Sequence, residues 1–189
     1  MSNINSPLSY KENINSPLIN LESMDFIGKI NLRLKNDDDE SYKIISEFLG
    51  YKLPAISGEV KTSNDSRAAW LGPNEFLIQS SDEKKSEIMN GIKEILQDRF
   101  YAITDVSDYY LTIRLSGEKS IEVLSKGCPL NFKEHLAKKN TCAQSYISKA
   151  TVLMDRLSDE YTIDILVRWS FAEYLWDWLV DSATEFSDN

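Results

Sequence analysis

Ten residues near the C-terminus, Ser170-Phe171-Ala172-Glu173-Tyr174-Leu175-Trp176-Asp177-Trp178-Leu179, constrain the fold of this chain more than any other stretch. Wound as an α-helix, Phe171, Ala172, Leu175, Trp176, Leu179 and Val180 join Tyr174 and Trp178 over an arc of roughly 240°, whereas a helix lying on one core needs an apolar stripe of only a little over ~100°. The polar remainder is a narrow acidic stripe of Glu173, Asp177 and Asp181, four residues apart. Such a helix needs cover from two sides. One is the chain's own core, centred on Leu175 and Leu179. The other is either more core, as in a helix buried centrally in one domain, or a partner protein, since aromatic residues concentrate at interface centres. Tyr174 and Trp178 form the flank that borders the acidic stripe, so Tyr174, Trp178, Asp177 and Asp181 are the candidate partner interface.

The rest of the chain supplies ordinary one-sided elements. Asp37-Asp38-Asp39-Glu40 caps a helix carrying Ile44, Ile45, Phe48 and Leu49, which Gly50 ends. Ser80 with Glu83 predicts a capping box for a second helix, whose Ile88, Met89, Ile92, Ile95, Leu96 and Phe100 span an arc of about 140°. Gly117 opens a third, stopped by Gly127 and Pro129. Alternating patterns predict strands near residues 26–32, 75–79, 101–106 and 111–115, and a hairpin of 151–155 with 161–168 around Leu157-Ser158-Asp159-Glu160. Residues 57–67 read as loop, and Ser170 with Glu173 as the cap of the aromatic helix. This interleaving predicts an α+β fold of two small α/β lobes with mixed or mainly antiparallel sheets. Residues 3–8 recur as 13–18, a duplication rich in Asn and Ser. Residues 1–24 are therefore expected to form a flexible or partner-draped arm, 25–180 the two-lobed body and 181–189 an acidic tail.

Composition excludes several classes of function. A formal charge of −9 repels nucleic-acid phosphates, and no basic cluster with interleaved aromatics offsets it. No run reaches the ~20 apolar residues of a membrane span, and the polar N-terminus lacks a signal core, which makes the cytoplasm the expected location. Cys128 and Cys142 lie far apart, as in a reducing compartment. With His135 they form a Cys-x6-His-x6-Cys spacing that lacks the close ligand pair of a structural zinc site, so the ordinary reading is a buried Cys128 and a solvated His135. His135 is the chain's only histidine, and neither a dinucleotide fingerprint nor a phosphate loop is present. The sequence therefore assigns no catalytic, cofactor-binding or metal residue.

Four ordered stretches carry a family resemblance: residues 70–77 (Trp-Leu-Gly-Pro-Asn-Glu-Phe-Leu), Asp105-Val106-Ser107-Asp108 with Leu115-Ser116-Gly117, residues 123–130 (Val-Leu-Ser-Lys-Gly-Cys-Pro-Leu), and residues 170–179. Together they resemble the gamma subunit of heterotetrameric sarcosine oxidase. Trp169 and Asn131 depart from that pattern and inherit no role. The resemblance implies a fold akin to the folate-binding fold of aminomethyltransferases. It also implies a non-catalytic subunit, packed chiefly on alpha in a complex with beta and delta chains that oxidatively demethylates sarcosine. By the same resemblance FAD, FMN, NAD and tetrahydrofolate lie on the larger chains and zinc on the smallest, with none on this chain. A stand-alone folate-dependent one-carbon transferase and an acidic protein-binding adaptor are the alternative readings.

Overall fold

The computed structural model describes residues 6–24 and 26–187. In chain order the elements are β1 (Ile14–Asn15), β2 (Asn20–Met24), β3 (Ile27–Leu34), α1 (Asp39–Leu49), β4 (Val60–Thr62), β5 (Ser66–Gly72), β6 (Glu75–Ser81), α2 (Asp82–Ile95), β7 (Tyr101–Asp105), β8 (Tyr110–Ser116), α3 (Ser120–Ser125), α4 (Phe132–His135), β9 (Thr141–Ile147), β10 (Ala150–Arg156), β11 (Ile163–Arg168) and α5 (Ala172–Ser187). They group into two compact units. The first comprises residues 1–25, 109–139 and 143–189, and the second residues 26–108 and 140–142.

The first unit is built on a six-stranded sheet of order β1-β2-β8-β11-β10-β9. Its registers align Leu21 with Leu115, Ile113 with Ile165 and Met154 with Ile165. Strand alternation sends these side chains to one face. There they join Val123 and Leu124 of α3 and Leu175, Trp176 and Leu179 of α5 in a single core. The same alternation sets Glu22, Arg114, Asp164 and Asp155 in a row of paired positions. Arg114 grips Asp164 through two bonds, Nε to Oδ1 at 2.7 Å and Nη2 to Oδ2 at 2.9 Å.

The second unit carries a five-stranded sheet of order β4-β5-β6-β3-β7. Ile30, Leu32, Phe76 and Ile78 pack against Ile45 and Leu49 of α1 and Ile88 and Ile92 of α2. The caps follow local chemistry. Asp38 accepts from the Ser41 amide at 3.2 Å, and Gly50 closes α1 at φ 76°. The cap of α2 is Ser81, which accepts from the Lys84 amide, one residue after the expected Ser80. Phe100 lies beyond that helix and is exposed, because the chain turns at Leu96 toward β7. Residues 57–67, expected as loop, contain β4 and the start of β5, which pair antiparallel with each other.

The expectation of a flexible N-terminal arm is corrected. Residues 6–24 are no flexible arm: Leu8, Ile19 and Leu21 lie in the core of the first unit, and β2 pairs with β8. The two Ser-Pro-Leu copies share one local bond, the Ser6 and Ser16 hydroxyls accepting from the Leu8 and Leu18 amides. Burying those apolar side chains offsets the entropy cost of ordering a polar segment. Residues 3–5, which begin the first copy, lie outside the described residues. The acidic tail is helical as far as Ser187, with Ser182 and Ala183 buried. Lys126, the residue after α3, donates to the Ser182 carbonyl at 2.5 Å and pairs with Glu185, while Ser16 donates to the Phe186 carbonyl. Cations and donors at a helix C-terminus satisfy its free carbonyls and its dipole. Residues 188 and 189 lie outside the described residues.

Candidate functional site

The aromatic helix enters through a 3-10 turn at Trp169–Phe171 rather than through a Ser170 cap, and the turn has no side-chain cap bond. Its two aromatic flanks have different environments. Trp176 is 2% exposed, buried beside Leu175 and Leu179, while Tyr174, Asp177 and Asp181 are exposed and Trp178 is half-buried. The Trp178 ring lies over Gly127 so closely that a β-carbon there would stand 2.4 Å from its Cζ2. Trp178 therefore closes the chain's own core. Asp177 is also engaged within the chain, by Lys11 Nζ at 2.5 Å. Tyr10 next door donates to Glu173, a bond that raises its hydroxyl pKa, while the Asp177 bond raises that of Lys11. The acidic stripe is thus met partly by the N-terminal segment. Of the four candidate residues, Tyr174 and Asp181 lie within about 20° of each other on the outward side of the helix. The Tyr174 hydroxyl is 2.7 Å from that of Ser148, and its ring meets Phe171 edge to face at 6.2 Å.

Sequence reasoning missed Tyr10, Lys11 and Phe171 as parts of this surface. The Asn- and Ser-rich composition around Tyr10 masked one usable signal, the apolar Leu8 that follows Ser-Pro. The helical pattern places Phe171 with the helix, whereas it sits in the 3-10 turn and is exposed.

The reactive side chains are dispersed. His135 is exposed at the end of α4. Cys128 is buried with its thiol 3.6 Å from the Ser145 hydroxyl, and Cys142 is buried with its thiol 3.6 Å from the Glu59 carbonyl. Among the described residues no group of three or more His, Cys, Asp or Glu is placed to hold a metal ion. An open groove beside α1 is lined by Tyr42, Ser46, Tyr51 and Leu53 with Lys43 and Lys52. Burial pushes the Tyr51 hydroxyl up to about 12, against the lowering effect of its bond to Ser66, so at neutral pH it is an uncharged hydrogen-bonding group. No helix among the described residues is long and apolar enough to cross a membrane.

The model of the sarcosine oxidase, gamma subunit family, matches residues 36–185. The chain belongs to this family. A relative, the sarcosine oxidase subunit gamma of Corynebacterium sp. (strain U-96), is 31% identical over 139 residues, which is 73% of this chain and 66% of that one, just under two thirds of its length. A chain of the heterotetrameric sarcosine oxidase from Corynebacterium sp. U-96, solved with pyrrole 2-carboxylate, overlays with a TM-score of 0.87 at 24% identity, covering 98% of this chain and 97% of that one. Aminomethyltransferase T of the glycine cleavage system of Bartonella henselae overlays with a TM-score of 0.63 at 10% identity, over 85% of this chain and 45% of that one. The last two likenesses show the fold, an α+β architecture of two antiparallel sheets shared with aminomethyltransferases.

Within this gamma-family fold the four landmark stretches are sites of close approach or tight turning. Trp70 to Leu77 forms the β5–β6 hairpin with a bulge at Trp70/Gly72, and Asn74 exchanges bonds with the Leu34 backbone. Asp105 accepts from both the amide and the hydroxyl of Ser107, and Lys85 binds its other oxygen. Gly117, at φ 115°, lies against the Leu18 carbonyl, and Gly127 lies under Trp178. The N-terminal segment with Tyr10 and Lys11 falls outside the stretch that the family model matches.

Proposed function

We propose that this chain is the non-catalytic gamma subunit of a heterotetrameric, flavin-dependent oxidase that demethylates sarcosine, and that it supports assembly by packing on the large alpha subunit. The family match over residues 36–185 carries this reading. The relative's name, sarcosine oxidase subunit gamma, and the heterotetrameric enzyme whose chain overlays this one supply the substrate and the assembly. Beta and delta chains complete the complex, with FAD, FMN, NAD and tetrahydrofolate on the larger subunits, zinc on the smallest, and the cytoplasm as its location. The exposed, isolated His135 and the two separately packed thiols support a structural role, since nucleophilic catalysis needs a base within hydrogen-bonding reach of the nucleophile.

The test is purification of the chain alone and after co-expression with the other three subunits. The expected outcome is a colourless isolated chain without sarcosine-dependent oxygen uptake, and a four-chain complex that has it. A flavin spectrum that stays with the isolated chain through gel filtration, or turnover by that chain alone, would overturn the proposal. Stoichiometric binding of tetrahydrofolate to the isolated chain would favour a one-carbon transferase instead.

A further inference from the structure

We infer that the N-terminal segment and the entrance of α5 together form the surface on which the partner subunit docks, with Tyr10, Phe171 and Tyr174 as anchors inside an acidic rim of Glu12, Glu173 and Asp181. This rests on the reading of the chain as a subunit. The three aromatic side chains are 64%, 39% and 38% exposed. All three are held in place before any partner arrives. Tyr10 lies 5.2 Å from the Lys11 ammonium, which is itself paired with Asp177, Phe171 meets Tyr174 edge to face, and Tyr174 is tied to Ser148. Rigid aromatic groups of this kind lose little conformational freedom on binding, and such residues dominate interface energetics.

Charge decides the occupant. Lys11 neutralises Asp177, whereas Glu12, Glu173 and Asp181 stay exposed and outnumber the exposed cations Lys149, next to Ser148, and Arg168, before the 3-10 turn, on a chain of formal charge −9. A second copy would bring the same acidic rim against itself, and an anionic membrane or nucleic acid would be repelled. The surface fits a basic face of a different protein chain, with pockets for the aromatic rings. Trp178 and Asp177, candidates from the helix pattern alone, are instead held by Gly127 and Lys11 within the chain.

The experiment uses the full chain and the purified large subunit of the same complex, with affinity read by biolayer interferometry and the fold of each isolated variant by thermal midpoint. Tyr10→Ser combined with Phe171→Ser is expected to weaken binding about tenfold or more at an unchanged midpoint. Asp181→Lys, at an exposed position, is expected to slow association and flatten its salt dependence, and it serves as the readout if the aromatic double variant is unstable. Native binding that survives both substitutions unchanged would overturn the docking surface while leaving the subunit reading intact. Failure of the native chain to bind any subunit would overturn both. Self-association of the native chain that Phe171→Ser abolishes would identify a second copy as the occupant and overturn the proposal.

Discussion

Two glycines show how much of this fold depends on single missing β-carbons. At Gly127 the obstacle is a side chain, the Trp178 ring at 2.4 Å, whereas at Gly117 it is backbone, the Leu18 carbonyl oxygen at 2.4 Å, with φ at 115° as well. Gly127→Ala should therefore displace the indole and cost about 1 to 3 kcal/mol, as overpacking does, in chemical denaturation. Adding Trp178→Leu should recover part of that loss. Gly117→Ala should cost more, and trimming Leu18 should not restore it, because no rotamer relieves a backbone clash in a left-handed conformation. Equal losses at the two sites, or rescue at both, would refute this distinction. The sequence placed both glycines at helix ends, since a Gly beside a periodic apolar run is a local signal. The reason each must be Gly is an approach by a segment 50 or more residues away, which no local pattern records. His135 and Cys128, by contrast, lie as expected, exposed and buried respectively, because burial of such residues follows their immediate neighbours.

Among the elements, the N-terminal segment and α5 depend on each other. Leu8 is 1% exposed within the core that α5 covers, and Lys11 reaches Asp177 at the surface. Burial and charge should therefore separate in mutants. Leu8→Ala should cost about 2 to 5 kcal/mol through the cavity it opens. Lys11→Ala should leave the thermal midpoint nearly unchanged, because an exposed ion pair is screened by water and salt. A larger loss for Lys11→Ala than for Leu8→Ala would show that the acidic stripe, rather than the apolar anchor, orders the segment. Helices were the most legible elements, since Asp38, Gly50 and the 3.6-residue apolar spacing all act within one turn of the chain. The strands β1, β2, β4, β5 and β9 were not, nor was the one-turn helix α4. They are short, or interrupted by polar residues, and β2 gains its stability by pairing with β8, some 90 residues further along the chain. The outward face of α5 was legible in outline only. Helical geometry placed Tyr174 and Asp181 outward, but could not reveal that Lys11 and Gly127 had claimed Asp177 and Trp178.

At the scale of the whole molecule, two lobes were legible but their assignment along the chain was not, because the first unit gathers three separate segments and the second takes in residues 140–142. Strand pairing of this long-range kind is fixed by burial and register rather than by order in sequence. The second unit carries carboxylates that should make it respond to acid. Asp38 has its pKa lowered by bonds from the Ser41 hydroxyl and amide and by Arg99, which outweigh desolvation. In Glu59, Glu75 and Asp105 burial pushes the carboxyl up, but it is outweighed by Lys61 and the Ala55 amide, by Arg33 and Asn31, and by Ser107 and Lys85 respectively, so each ends below its ordinary value. All four belong to the second unit. A carboxylate whose folded pKa lies below its unfolded one contributes stability above the unfolded value, near pH ~4, and that contribution is lost as pH falls through the folded value. Hydrogen exchange followed by mass spectrometry should then show β3, β6, β7 and α1 losing protection as the pH falls below about 4. Asp105→Asn should be less stable at neutral pH, because the amide carries no charge to pair with Lys85, and its stability should fall less steeply with acid, because one linked proton is gone. If β3, β6, β7 and α1 keep their protection below about pH 4, or if Asp105→Asn keeps the native acid slope, then these carboxylates do not set the acid sensitivity of the second unit.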